Sequence, residues 1–81
     1  MKHLIQGQES KESLDLLMSL TSIRSDKMIN ALHRHYVDGL AIDHLVNGLN
    51  VDEANFRRVD KIINSTAETI NNYNESQRSV K

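Results

Sequence analysis

Residues 43–61 read DHLVNGLNVDEANFRRVDK, and the fold follows from how this stretch divides. Leu45, Val46 and Leu49 line one face of a short helix, Val51 fills a turn, and Phe56 and Val59 face inward from a second helix. Asn50 stands where such a turn needs a left-handed residue; Asn tolerates that conformation better than most side chains. Asp52 is placed to cap the second helix by accepting from its first free N–H groups. Val51 just before that cap and Phe56 four residues after it have hydrophobic-staple spacing, which sets the angle at which the second helix leaves. Arg57, Arg58 and Lys61 lie opposite the apolar stripe. A helix held at a set angle with cations outside is how a helix-turn-helix enters a DNA groove.

The chain upstream is also periodic. From about Glu9 to Leu20, Leu14, Leu17, Met18 and Thr21 form an apolar stripe, and Leu16 and Leu20 widen it enough for two sides to be covered. Thr21 to Asp26 interrupts the pattern with capping residues, and Ser22 or Ser25 opens another helix carrying Met28, Ile29, Leu32, Tyr36 and Val37. Asp38-Gly39 ends it, with Gly39 as a left-handed cap. Downstream, Phe56, Val59, Ile63, Thr66, Ile70 and Tyr73 are spaced three, four, three, four, three. That spacing is a heptad seam and points to helix pairing. The expectation is an all-α domain of about four helices ending in a long one. Residues 1–8 are expected to be a loose segment in which Leu4 and Ile5 are the residues able to dock, residues 9–73 the single domain, and residues 74–81 a flexible polar tail.

Eighty-one residues with no Cys and no Pro make one small, turn-poor domain without disulfides. A chain of this size buries only about 60–65% of its unfolded surface, so pairing with another chain is the remaining way to enlarge the core. The oligomer contacts expected are Ile63, Thr66, Ile70 and Tyr73 of the seam, with Leu14 and Leu17 of the first helix. No run approaches the roughly 20 apolar residues of a membrane span. The first ten residues carry no apolar stretch or cleavage site of a secretory signal, so a cytoplasmic protein is expected. Net charge is −1, which permits nucleic-acid binding through local clusters without arguing for it.

The stretch Leu20-Thr21-Ser22-Ile23-Arg24-Ser25-Asp26-Lys27-Met28-Ile29-Asn30-Ala31-Leu32, followed by Tyr36-Val37-Asp38-Gly39 and the helix-turn-helix with Phe56, resembles the PapB-type regulators of pilus (adhesin biosynthesis) operons in enteric bacteria. The likeness spans about residues 14 to 73. It implies an all-α DNA-binding regulator that multimerises on AT-rich DNA upstream of fimbrial genes. Two departures stand out. Ala41, Ile42, Asp43 and His44 occupy positions where the family usually has a Ser-Arg-Lys-Glu-type sequence, which weakens phosphate contacts from that helix. Arg57 and Arg58 stand where the family tends to small hydroxyl residues.

The DNA-contact set expected is Arg57, Arg58 and Lys61, with Asn55 and Glu53 on the first turn as base-edge readers and His44 on the preceding helix. The plainer readings are a solvated face for the cations and helix-start chemistry for Asn55 and Glu53. His33 and His35, two apart on a helix, diverge and lack partner ligands, so no metal is expected and surface or groove-edge positions are. No phosphate loop, nucleophile–base set or paired carboxylates appear, so neither an enzyme nor a cofactor or small-molecule substrate is expected. The partners expected are AT-rich double-stranded DNA and further copies of the chain. Two alternatives stay open: mixed oligomers with a related regulator without DNA binding, and an RNA-binding antiterminator.

Overall fold

The computed structural model describes residues 4–79. Four helices follow one another: α1 (Lys11–Ser19), α2 (Asp26–Tyr36), α3 (Ile42–Gly48) and α4 (Glu53–Ser79), with no strand among the described residues. Each start has a local cause. Ser10 caps α1 by accepting from Ser13 N, Ser25 caps α2 by accepting from Met28 N, and Asp52 Oδ2 accepts from Asn55 N at 2.8 Å to begin α4. α3 is the exception, because Ala41 at its cap position offers no side-chain acceptor.

Two helix ends share one device. Gly39, at φ 83°, lets Leu40 N reach Arg34 O at 2.9 Å, and Asn50, at φ 56°, lets Val51 N reach Leu45 O at 3.2 Å. Both bonds reach back six positions, one residue further than a Schellman closure, and each is made possible by the left-handed residue immediately before its donor. The chain therefore turns sharply into α4, with Val51 and Phe56 both buried as the staple spacing requires.

The core joins Leu14 and Met18 of α1, Met28, Ala31, Leu32 and Tyr36 of α2, Leu45 of α3, and Phe56, Val59, Ile63 and Ala67 of α4. Leu16 and Leu20 face solvent, so α1 is covered on one side only in the single chain. Beside the apolar stripe of α4 lies a buried polar cluster. Asn64 Nδ2 donates to Tyr36 Oη (3.1 Å), Asp60 O (2.9 Å) and Asp60 Oδ1 (3.0 Å), while Tyr36 Oη donates to Asp60 Oδ1. Asn64 Oδ1 accepts from Leu4 N at 2.8 Å.

For residues 4–8 that last bond corrects the expectation of a loose start; residues 1–3, like residues 80–81 of the expected tail, lie outside the described residues. Residues 4–9 are tied down: Leu4 is buried, Gly7 N donates to His35 O at 3.2 Å, and Glu9 N donates to Tyr36 O at 3.0 Å. The segment thus satisfies carbonyls at the end of α2 that have no acceptor role left within the helix. Ile5 does not dock and stays exposed. The approach is close enough that a Cβ on Gly7 would lie 3.1 Å from Gly39 Cα, so a side chain there would force the segment away.

The far end departs from expectation too. α4 continues to Ser79 instead of giving way to a flexible tail after Tyr73. Its 27 residues span about 40 Å at 1.5 Å per residue. Among the described side chains Ala67 is the last that is buried and Ile70 is half-buried, so the turns after them project past the core, supported locally by Arg78 against Glu75 at 3.4 Å. Leu14 and Ile63, expected in an oligomer seam, are fully enclosed in the chain's own core and offer nothing to a partner. Periodicity marks a buried face without saying which element buries it.

Replacing Asn64 with Ala would leave Leu4 N without its acceptor inside the core and remove the donor shared by Tyr36 and Asp60, which keep the bond between them. We expect a loss of about 2–3 kcal/mol in unfolding free energy, read by urea denaturation. A loss under about 0.5 kcal/mol would show that the cluster contributes little to stability.

Candidate nucleic-acid interface

α4 begins directly after the closed turn, so its first three turns carry the outward residues at a fixed angle. Phe56, Val59 and Ile63 face the core, and Arg57, Arg58 and Lys61 are exposed. The three cations differ in their surroundings. Arg57 Nε and Nη2 meet Glu53 Oε2 at 2.9 and 2.8 Å, an i,i+4 pair in which both groups are solvent-exposed. Arg58 Nε and Nη2 donate to Asn55 Oδ1 at 3.3 and 2.8 Å. An amide oxygen steadies the guanidinium without cancelling its charge. Lys61 has no hydrogen bond or ion pair among the described residues.

The expected base readers are therefore engaged inside the helix. Glu53 neutralises Arg57, and the Asn55 oxygen holds Arg58, leaving only the Asn55 amide N–H groups for another partner. His44 is exposed on α3, beside Asp43, Asn47 and Gly48 in a shallow depression of about 310 Å³.

The remaining basic residues divide the same way. Arg34 pairs with Asp38 at 3.1 Å and Arg78 with Glu75 at 3.4 Å, while Arg24, Lys11 and Lys27 pair with no acid among the described residues. His33 Nε2 lies 2.8 Å from Asp15 Oδ1 and ties α2 to α1. His35 corrects the surface expectation. It is buried, and its Nδ1 lies 2.7 Å from Leu40 O, so that nitrogen must carry the proton. Its ring meets Tyr36 and Phe56 edge-on, with centroids 4.7 and 5.7 Å away. No group of three or more His, Cys, Asp or Glu among the described residues is arranged to hold a metal ion, and no described helix is long and apolar enough to cross a membrane.

Of the expected oligomer residues, Leu17, Thr66 and Ile70 are half-buried and Tyr73 is exposed at 63%. Thr66 Oγ1 donates back to Ile62 O at 2.9 Å, within its own helix. Sequence reasoning missed the buried triad Tyr36, Asp60 and Asn64, and it missed that Arg24 lines one cleft with Arg58. The i,i+4 spacing of Asp60 and Asn64 beside the apolar stripe was the only available hint of the first. Nothing local pointed to the second.

The family model for adhesin biosynthesis transcription regulatory proteins, PapB, matches residues 1–75. No curated protein and no solved structure matches the chain.

Changing Glu53 to Gln removes a negative charge from the cationic face and releases Arg57. The variant is expected to elute from a heparin column at higher salt than the parent chain. Elution at the same salt would mean that the Glu53–Arg57 pair does not limit the face.

Proposed function

Because the chain belongs to the adhesin biosynthesis transcription regulatory family, we propose that it controls a bacterial fimbrial or adhesin operon by binding AT-rich double-stranded DNA. In this reading α3, the turn and α4 act as a helix-turn-helix, and the bound form is an oligomer in the bacterial cytoplasm, associated with the nucleoid. One observation carries the proposal. Arg58 and Lys61 stand on the outer face of α4, opposite the stripe that anchors it, and neither is ion-paired with an acid among the described residues. Most other acids and bases of the chain can balance to a small net charge without weakening this face, because screening confines the effect of exposed charges to about 10 Å. Asn55, through its amide N–H groups, supplies the nearest candidate for a base edge. Arg57 joins only if Glu53 yields, so it ranks below Arg58 and Lys61.

Assembly multiplies weak contacts. Two or more subunits on one duplex convert later contacts into intramolecular ones, so single faces of low affinity suffice. The projecting end of α4, with Ile70 half-buried and Tyr73 exposed, is the surface proposed for pairing. The rival reading, a partner that forms mixed oligomers with a related regulator and binds no DNA, draws on Asp43 and on the missing cap at Ala41. Shared use of the α4 end fits both readings, so duplex binding separates them.

Gel shifts on AT-rich against mixed-sequence duplex, repeated across salt, test the DNA reading. Arg58→Gln with Lys61→Gln is expected to flatten the slope of log affinity against log salt by about 1.8, since each lost phosphate contact removes roughly 0.9. An unchanged slope would remove this face from the interface, and no shift of any duplex by the parent chain would favour the mixed-oligomer reading. Separately, Ile70→Glu is expected to weaken self-association by tenfold or more in sedimentation, with helix content retained. Identical sedimentation would move the pairing surface elsewhere, Leu16 and Leu20 of α1 being the next exposed apolar pair.

A further inference from the structure

The loop between α1 and α2 contributes to the same flank of the molecule as α4. Arg24, Ser25, Asn55, Arg58 and Val59 are among the residues that line one cleft of about 190 Å³. Arg58 also lines a second cleft, of about 390 Å³, with Lys61 and Ser65. Sharing Arg58, the two clefts put Arg24, Arg58 and Lys61 in sequence along one side of α4. Arg57 lines neither cleft.

These three residues share a property that the ion-paired arginines lack. Arg34, Arg57 and Arg78 each face an acid three or four residues away. Arg24 Nη1 instead donates to Thr21 O and Ile23 O, both at 2.8 Å, and Arg58 is held by the Asn55 amide oxygen. Both guanidiniums are thus held in place by neutral acceptors, which fix direction and leave a full positive charge. The other faces of a guanidinium remain able to donate to a tetrahedral anion in fork geometry. Two such groups on one cleft repel each other unless an anion lies between them.

We propose that the Arg24–Arg58 cleft takes a backbone phosphate of bound duplex, so that the α1–α2 loop is part of the nucleic-acid interface and one strand runs along Arg24, Arg58 and Lys61. This rests on the DNA-binding reading of α4 and extends it to a residue 34 positions upstream of Arg58. The contact fixes the protein's register on the backbone and carries no base information. It also gives the loop sequence Ser22-Ile23-Arg24-Ser25 a task beyond capping α2.

The test compares salt dependence of duplex binding for the full chain, Arg24→Gln, Arg24→Lys and, as an exposed cation outside both clefts, Lys11→Gln. Arg24→Gln keeps donors for the loop carbonyls but no charge. It is expected to lower affinity roughly five- to tenfold at 0.1 M salt and to flatten the slope by about 0.9, while Arg24→Lys keeps most of the slope and Lys11→Gln all of it. Circular dichroism melting of the same variants verifies folding, and a purely structural role for Arg24 would move the melt without moving the slope. If the parent chain binds duplex and Arg24→Gln keeps its slope, this inference falls and the α4 reading stands. If the parent chain binds no duplex, both fall. A parallel titration with inorganic phosphate at constant ionic strength, followed by NMR, separates the sources. Saturable phosphate binding lost in Arg24→Gln, with duplex binding unaltered, would make the cleft a small-anion site and overturn the assignment to backbone.

Discussion

The fold depends on one buried side chain, Asn64. Its carbonyl oxygen accepts from Leu4 N and its amide nitrogen donates to Tyr36 and Asp60, so the N-terminal segment, α2 and α4 meet at a single amide. Burying such a group without partners costs a few kcal/mol, and no buried side-chain polar atom among the described residues lacks one. Apolar contacts between helices tolerate small slips, because Leu and Ile can repack. A cluster with directional donors does not. A slip of α4 by one turn against α2 would break the Asn64–Tyr36, Tyr36–Asp60 and Asn64–Leu4 bonds together, and only the Asn64–Asp60 bonds inside α4 would survive. The polar cluster therefore selects one register from those that the hydrophobic stripe would accept.

The electrostatics follow a related division between local pairing and open charge. Glu53, Asp38 and Glu75 each sit three or four residues from an arginine and compensate it, which removes those cations from any longer-range role. Arg58 and Arg24 are steadied by an amide or carbonyl oxygen instead. Net charge is thus a poor guide to this chain. A value of −1 conceals a row of uncompensated cations on one side of α4, balanced by acids whose influence is screened within about 10 Å.

How much of this was legible in the sequence depends on the range of the interaction. The turns at Gly39 and Asn50, the caps at Ser25 and Asp52 and the staple of Val51 on Phe56 were all readable, because each joins residues within six positions. The inward stripe of α4 was readable as well. What covers it was not: Leu14 and Ile63 looked equally suited to a second chain and turn out to close the chain's own core. The burial of His35, the docking of Leu4 and the shared cleft of Arg24 and Arg58 were also out of reach. Each depends on a partner brought near by tertiary structure, and no periodicity encodes it. The helical state of residues 74–79 was missed for a different reason. Their modest propensities argue for fraying, yet a helix already nucleated and anchored upstream by the buried stripe from Phe56 to Ala67 extends at low cost, because only the first turn is expensive.

α4 joins these separate constraints in one body. Asp60 and Asn64 point inward to the polar cluster, while Arg58 and Lys61, on the same two turns, point outward. The angular position of the cations is consequently set by the register that Asn64 selects, before any ligand arrives. For a family of adhesin biosynthesis regulators this has a kinetic and energetic consequence. Side chains already held in place, as Arg58 is by Asn55 and Arg24 by its loop carbonyls, lose less freedom on binding than the bare Lys61 does. Affinity gained in this way grows with each steadied cation and needs no large net charge. The projecting turns of α4 carry the same orientation outward. Any second copy that pairs on Ile70 and Tyr73 would have its own reading face fixed relative to the first, and the spacing between bound faces would be a property of helix length, not of a linker.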